Sequence, residues 1–297
     1  MLLIFATGFG YTTHAQTIYV ASYYGDTIGT YNTSGQAINP SLITTAHNNP
    51  MGMTASGNNL YVTLGAGFVE QYTLSGSTLN NSLISGLGFN VNGPVVSGNN
   101  LFIAVGNSGT IGQYTTAGAA VNPTLIHGLP YPGDMVMSGN NLFVTSWQGG
   151  STIGEYSTSG GIINANFITG LDEPFGILIV GNDLFVSNYG NGTVGEYDLF
   201  GNPINPALIT GLTFPQGLAT DGTHLFVAEG SGDNGAGKVG EWDLSGNAIN
   251  PNLITGLNDP TALMIVPEPS CMALFAVLGI AAVSFHRRLR RSEKTIV

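Results

Sequence analysis

The sequence predicts an all-β chain folded as a six-bladed β-propeller of four-stranded antiparallel blades, closed by its C-terminal strand and followed by a C-terminal single transmembrane helix. Three observations carry this reading. A short apolar strand motif recurs six times, at spacings of 42, 41, 41, 42 and 41 residues. Each copy is followed by further strand-like motifs set apart by Gly- and Asn-rich turns. After the last repeat come a Val-Pro-Glu-Pro step, an apolar run of 15 residues and a cluster of arginines. Four short strands per ~40 residues is the period of a propeller blade.

The first motif is Ile18-Tyr19-Val20, Leu60-Tyr61-Val62, Leu101-Phe102-Ile103, Leu142-Phe143-Val144, Leu184-Phe185-Val186 and Leu225-Phe226-Val227. It is apolar at every position, as expected of a sheet sandwiched between two others, and its central aromatic is sized to fill the gap between blades. The second motif ends in an aromatic residue, as in Val194-Gly195-Glu196-Tyr197 and Val239-Gly240-Glu241-Trp242. A third strand carries an Asn-Pro step, clearest at Ile204-Asn205-Pro206, and a Pro-x-Gly step such as Pro215-Gln216-Gly217 opens a fourth. Gly-Asn-Asn turns, at residues 57–59 and 98–100, return the chain to the first motif; Gly and Asn tolerate the positive φ that tight hairpins need. The body starts on the second strand of a blade and ends at Asp259–Val266 with a lone innermost strand. Pairing the two completes six blades and removes the open edge that a gap would leave.

The order Pro-x-Gly, Leu-Phe-Val-Ala, Val-Gly-Glu-Tyr-Asp resembles NHL-type repeats across residues 16 to 266. The basic residue usual in the third strand of that family is absent, and with it the basis for an RNA-binding or ubiquitin-ligase-type role.

The chain divides into residues 1–15, 16–266 and 267–297. Residues 1–15 read as a signal peptide: an apolar start, then Thr13 and Ala15 at the −3 and −1 positions of a cleavage site before Gln16. The usual basic n-region is missing, which suggests a truncated leader. At the other end, Val266-Pro267-Glu268-Pro269-Ser270 precedes the apolar run 271–285 and a basic tail, 286–297, that includes Arg287 and Arg288. Fifteen residues are short for ~30 Å of hydrocarbon, and snorkelling arginines extend their reach. The positive-inside rule leaves the arginines cytoplasmic and the body outside. These three parts in this order resemble the PEP-CTERM sorting signal. The resemblance implies an exosortase-type membrane enzyme as partner, anchoring through residues 271–285 at least until processing, and a place in the cell envelope or outside it. Such a segment is an address and leaves open what the attached domain does.

Composition narrows the partners further. Charged residues make up 8% of the chain, against roughly 25% in an average protein. Residues 16–266 hold fifteen acidic residues against the single base Lys238, a net charge of −14 with histidine neutral. Such a surface repels phosphate backbones, which excludes nucleic acid. The one cysteine, Cys271, lies in the apolar run, so the body has no disulfide.

Ligands of propellers usually sit at the channel mouth, on connecting loops. Loops before the Pro-x-Gly step and after the first motif should share one face. They carry Tyr131, Trp147, Phe175, Tyr189, Phe214, Asp172 and Glu173, beside Tyr23, Tyr24, Asn90, Gln216 and Asp259. Aromatic faces among amides and carboxylates suit sugar rings, whose C–H faces stack and whose hydroxyls need polar partners. The plainer reading of this face is a set of solvated loops on a spacer domain; the sharper one is exopolysaccharide binding. Either way the expected function is that of an exported, non-catalytic binding or scaffold protein without a cofactor. The alternative is a calcium-dependent lactonase- or hydrolase-like propeller, with Asp134 and Asp259 as metal candidates beside Asp172 and Glu173. His47, His127 and His224 fall at different points of the repeat, read as loop or surface residues, and do not converge on a zinc site. Asp233-Asn234-Gly235 lies in the longest loop, a second place for calcium.

Overall fold

A computed structural model describes residues 16–230 and 237–267. The expected signal peptide, the 233–235 loop and everything from Glu268 onward, including Pro269, Arg287 and Arg288, lie outside the described residues. Among the described residues, no helix is long and apolar enough to cross a membrane.

The strands form six four-stranded antiparallel sheets. Blade one is β1 (Gln16–Ser22), β2 (Thr27–Asn32) and β3 (Ala37–Thr44), completed by β24 (Pro260–Pro267). Blade two is β4 (Pro50–Ser56), β5 (Asn59–Leu64), β6 (Phe68–Thr73) and β7 (Thr78–Ile84). Blade three is β8 (Val91–Ser97), β9 (Asn100–Val105), β10 (Thr110–Thr115) and β11 (Ala120–His127). Blade four is β12 (Pro132–Ser138), β13 (Asn141–Ser146), β14 (Thr152–Ser157) and β15 (Ile162–Thr169). Blade five is β16 (Pro174–Val180), β17 (Asp183–Asn188), β18 (Thr193–Asp198) and β19 (Pro203–Ile209). Blade six is β20 (Pro215–Thr220), β21 (His224–Glu229), β22 (Gly237–Asp243) and β23 (Ala248–Leu257).

The first strand named in each of blades two to six, and β24 in blade one, is innermost. These six strands contact one another in sequence around the axis, β24 to β4 included, and this closes the propeller. Closure rests on a long register in which Gln16 pairs with Pro267, Ile18 with Ile265 and Ala21 with Ala262. Val266 and Pro267, the first residues of the sorting motif read from the sequence, are thus the last two of β24.

The core is six apolar layers between blades. In one layer Phe102 of β9 packs with Leu142, Val144 and Tyr156 of blade four. The layer that seals the ring joins Ile18, Val20 and Tyr31 of blade one to Phe226, Val239 and Ile254 of blade six. The central aromatic of the first motif therefore fills the interblade gap, as expected, and all six copies are buried. Truncating such a buried ring to Ala typically costs about 3–5 kcal/mol.

The outer strands depart from the expected pattern. The sequence reads as strands apolar on both faces and a ring without exposed edges. Instead β3, β7, β11, β15, β19 and β23 each begin with five consecutive exposed residues. Closure hides the inner and lateral faces, but each sheet keeps one free outer edge. That edge is interrupted at the conserved turn chemistry of the repeat: Asn39 Oδ1 accepts from the Ser41 N–H at 3.2 Å, and the five equivalent asparagines do the same. The register shifts at this point in every blade, so these edges carry bulges that discourage edge-to-edge pairing.

Candidate functional site

The Pro-x-Gly steps converge on the axis at one end of the ring. The residue just before each inner strand has a positive φ: Asn49 67°, Asn90 59°, Tyr131 50°, Glu173 50°, Phe214 46° and Asp259 53°. Asn and Asp enter this left-handed region at little cost, whereas Tyr, Glu and Phe are genuine outliers. The conformation has a structural cause. Each of the six turns its carbonyl to accept the N–H of the residue that follows the neighbouring strand. The bonds run from Gly65 to Asn49, Gly106 to Asn90, Trp147 to Tyr131, Tyr189 to Glu173, Gly230 to Phe214 and Tyr23 to Asp259, at 2.8–3.1 Å. Two concentric rings of six loop residues are thereby fixed to one another.

The residues in these rings differ around the axis. On blades four to six Tyr131, Trp147, Tyr189 and Phe214 of these rings touch, with Phe175 of β16, in an unbroken arc. Tyr131 meets Trp147 at 5.7 Å between ring centroids, and Trp147 meets Phe175 edge-on at 5.7 Å. Tyr189 lies 6.2 Å from Trp147 and stacks on Phe214 at 4.8 Å and 25°. Polar contacts accompany the arc. The Asn90 amide donates to Tyr131 Oη at 2.6 Å and to Asn107 Oδ1 at 2.8 Å, and the Gln216 amide donates to Asp259 Oδ1 at 3.1 Å. Asp26 accepts from the Asn49 N–H at 2.8 Å. Burial, with Tyr24 and Asp259 as further contributions, holds the Tyr23 phenol above its usual range. Beside the arc lies a cleft of about 180 Å³ lined by Tyr23, Tyr24, Asn90, Trp147, Phe175, Tyr189, Gln216 and Asp259, with Met51 and Thr261 at its base. It has the dimensions of a site for one sugar ring or a group of similar size.

Five residues singled out from the sequence are in mutual contact; Trp147, Phe175 and Tyr189 line the cleft, and Tyr131 and Phe214 pack against them outside its lining. Asp172 and Glu173 lie on the loop leading into β16, Asp172 exposed and Glu173 half-buried, outside the residues that line the cleft. Met51 and Thr261 escape sequence reading. Their signal is positional, since each is the second residue of a Pro-x-Gly-type step, equivalent to Phe175 and Gln216.

Among the described residues, no three His, Cys, Asp or Glu side chains gather into a metal-holding cluster. The carboxylates of Asp134, Asp172, Glu173 and Asp259 are thus not assembled into one centre. Asp134 lies deeper than the cleft, on the axis, where burial raises its carboxyl to about 6 against the opposing pull of the Met135 and Ile177 N–H groups. Lys238, the lone Lys or Arg among the described residues, sits 3.2 Å from the buried Glu229 carboxylate, so its charge is already matched.

His47 departs from its reading as a plain loop residue. Its ring stacks on Phe68 at 3.5 Å and 13°, and its Nδ1 lies 2.8 Å from Glu70 Oε1. Glu70 is fully buried where the other five blades have Gly, and it also accepts from the Ala46 and His47 N–H groups and from the Tyr72 hydroxyl. This network pins the loop that delivers Asn49 to the cleft face.

By fold, the chain is similar to a crystal structure of a protein of unknown function from Bacteroides caccae, with a TM-score of 0.66, 15% identity, and 86% of this chain and 100% of that one covered. It is similar to a chain of a nidogen/laminin complex, with a TM-score of 0.67 and 15% identity over 84% of this chain and 98% of that one. It is also similar to the computationally designed Ika8 protein, at a TM-score of 0.50 and 14% identity over 82% and 74%. These likenesses show the fold alone: a six-bladed propeller. No family model matches the chain, and no curated protein matches it by sequence.

Proposed function

We propose that this protein is an exported, non-catalytic binding or scaffold propeller of the cell envelope that engages polysaccharide through the cleft at its channel mouth. The observation that carries the proposal is the arc of five touching aromatic rings, three of which (Trp147, Phe175 and Tyr189) line a cleft together with Tyr23, Tyr24, Asn90, Gln216 and Asp259. Apolar C–H faces of a pyranose stack on such rings, and its hydroxyls exchange water for the amide and carboxylate groups of the lining. A propeller is a fold in which such a site is presented by rigid strands, and a chain of similar fold comes from a nidogen/laminin complex, a binding setting. Delivery rests on the sequence: Val266-Pro267-Glu268-Pro269, the apolar run 271–285 and the tail with Arg287 and Arg288 form a PEP-CTERM-type signal, read by an exosortase-type enzyme.

Isothermal titration of the full chain with neutral polysaccharides and their oligomers tests the binding function. Saturable binding is expected, and Trp147→Ala should weaken it about tenfold or more, the scale of one lost aromatic contact plus its area. A chain that folds and binds no member of the panel removes the carbohydrate reading.

A further inference from the structure

Two carboxylates are buried among the described residues, Glu70 and Glu229, and each has a cationic or cation-forming partner. Glu70 has His47 at 2.8 Å, and Glu229 has Lys238 at 3.2 Å. Asp134 is half-buried by accessible surface and has no such partner. Its accessible surface faces a largely enclosed cavity on the propeller axis, which it lines with Asn92, Gly52, Gly93 and Gly217. Its oxygens accept from the Met135 N–H at 2.8 Å and the Ile177 N–H at 3.4 Å, and no Lys, Arg or His is paired with it. A carboxylate that lines such a cavity without a counter-charge is costly to hold ionised.

The position is unusual within the repeat. The equivalent residues on the other inner strands are Gly52, Gly93, Gly176, Gly217 and Ala262. At this level the strands nearly touch: a Cβ on Gly217 would lie 2.8 Å from Ala262 Cα, and one on Gly176 would lie 2.3 Å from Gln216 O. Asp134 is the one side chain with polar atoms in that ring. The adjoining strand supplies Asn92, which is 5% exposed; its amide donates to Asn90 O at 3.2 Å, and its Oδ1 is buried without a hydrogen-bond donor. Thr261, also in the lining, spends its hydroxyl proton on Pro50 O at 2.7 Å. The side chains facing the cavity therefore offer acceptors and one negative charge. The cavity measures about 40 Å³, room for on the order of three water-sized guests. Met51, Phe175 and Thr261 line both this cavity and the cleft above it, so the cleft floor is its roof.

We propose that the propeller axis holds one hard cation, bound by the Asp134 carboxylate and Asn92 Oδ1 with water completing its shell. Oxygen-only ligands of this kind select alkali or alkaline-earth ions over transition metals. The site is separate from the cleft and stands whether or not carbohydrate binds there.

The test is thermal unfolding of the full chain, stripped with chelator, against chloride salts of Ca²⁺, Mg²⁺, Na⁺ and K⁺ at matched ionic strength. At least one should raise the melting temperature saturably, by roughly 5–10 °C at a hundredfold excess over its Kd, and the order of the four names the ion. Asp134→Asn should abolish that shift. Asn92→Asp, which adds a second carboxylate, should lower the saturating concentration at least tenfold, and it decides the matter if Asp134→Asn fails to fold. Melting unmoved by every salt, or a shift that survives Asp134→Asn, overturns the proposal. So does a rise in stability toward pH 5 in place of any salt effect, since a proton would then be neutralising Asp134.

Discussion

The backbone of the channel mouth holds single residues in conformations they resist. Glu173 at φ 50° occupies a position that Asn49, Asn90 and Asp259 fill on other blades, and a non-Gly residue outside the Asn/Asp class pays about 1–2 kcal/mol there. Glu173→Asn should therefore raise stability by about 1 kcal/mol, or ~2–4 °C for a body of this size, while leaving the aromatic arc and ligand affinity unchanged. Differential scanning calorimetry beside titration would read both, and a lower melting temperature would give the Glu173 carboxylate a role of its own. Asp134 governs pH behaviour in salt-stripped buffer. Its folded carboxyl, at about 6, stands above the 3.8 of an exposed aspartate, so the native state binds the extra proton between those values. Its contribution to stability is thus fully present below 3.8 and is lost as pH rises through about 6. Asp198 and Asp243 are held low by hydrogen bonds, and Asp221 is held low because its hydrogen bonds together outweigh the upward push of burial; all three act in the opposite sense, losing stability as pH falls through their folded values. The difference between wild type and Asp134→Asn isolates the first effect: urea midpoints measured across pH 4 to 7 should fall with pH in wild type relative to the variant.

At the level of strands and loops, the repeat was legible because alternation, Gly-Asn turns and the 41-residue period are local properties. Six copies of Leu-Phe-Val could be placed as buried second strands, and the closing role of residues 259–266 followed from counting. The exposed outer strands were misread because their half-polar pattern resembles the inner ones until one knows which side has a neighbour. The Glu70 network was hidden for a different reason. Val69-Glu70-Gln71-Tyr72 looks like a sibling of Ile111-Gly112-Gln113-Tyr114, and only the fold shows that the Gly position lies beneath the ring two residues on, with His47 brought in from 23 residues away. Restoring the repeat residue by Glu70→Gly should therefore destabilise, against the usual gain from consensus replacement. It leaves the buried Tyr72 hydroxyl without its acceptor, at about 1–3 kcal/mol, and frees the Ala46 and His47 N–H groups of the loop it pins. Chemical denaturation would show it, and a gain in stability would mean that the network is dispensable.

Over the whole molecule, the candidate cleft was legible as a list of residues and not as a shape. Tyr131, Trp147, Phe175, Tyr189 and Phe214 come from three blades, and their contacts exist because ring closure carries loops some forty residues apart onto one axis. Net charge, by contrast, is fully visible in the sequence. A body at −14, whose one lysine is matched by Glu229, should distinguish polymers by charge. At low salt, uronate-rich polysaccharides should bind at least tenfold more weakly than neutral ones of like linkage, and the gap should narrow as salt screens the repulsion. Equal affinity at 10 mM salt would show that the acidic surface lies too far from the cleft to matter.

The position of β24 has a mechanical meaning. It starts beside the cleft at Pro260, runs down the axis, and leaves the far face at Pro267, hydrogen-bonded along its length to β1 in seven registered pairs from Gln16–Pro267 to Ser22–Pro260. Were the body held through the residues beyond Pro267, tension on it would pull along this strand, and the seven pairs would share the load in shear and not open one at a time. The strand that completes the ring would then also be the strand that bears the load, and a pull that would peel an ordinary terminal strand would be spread along the whole length of β1.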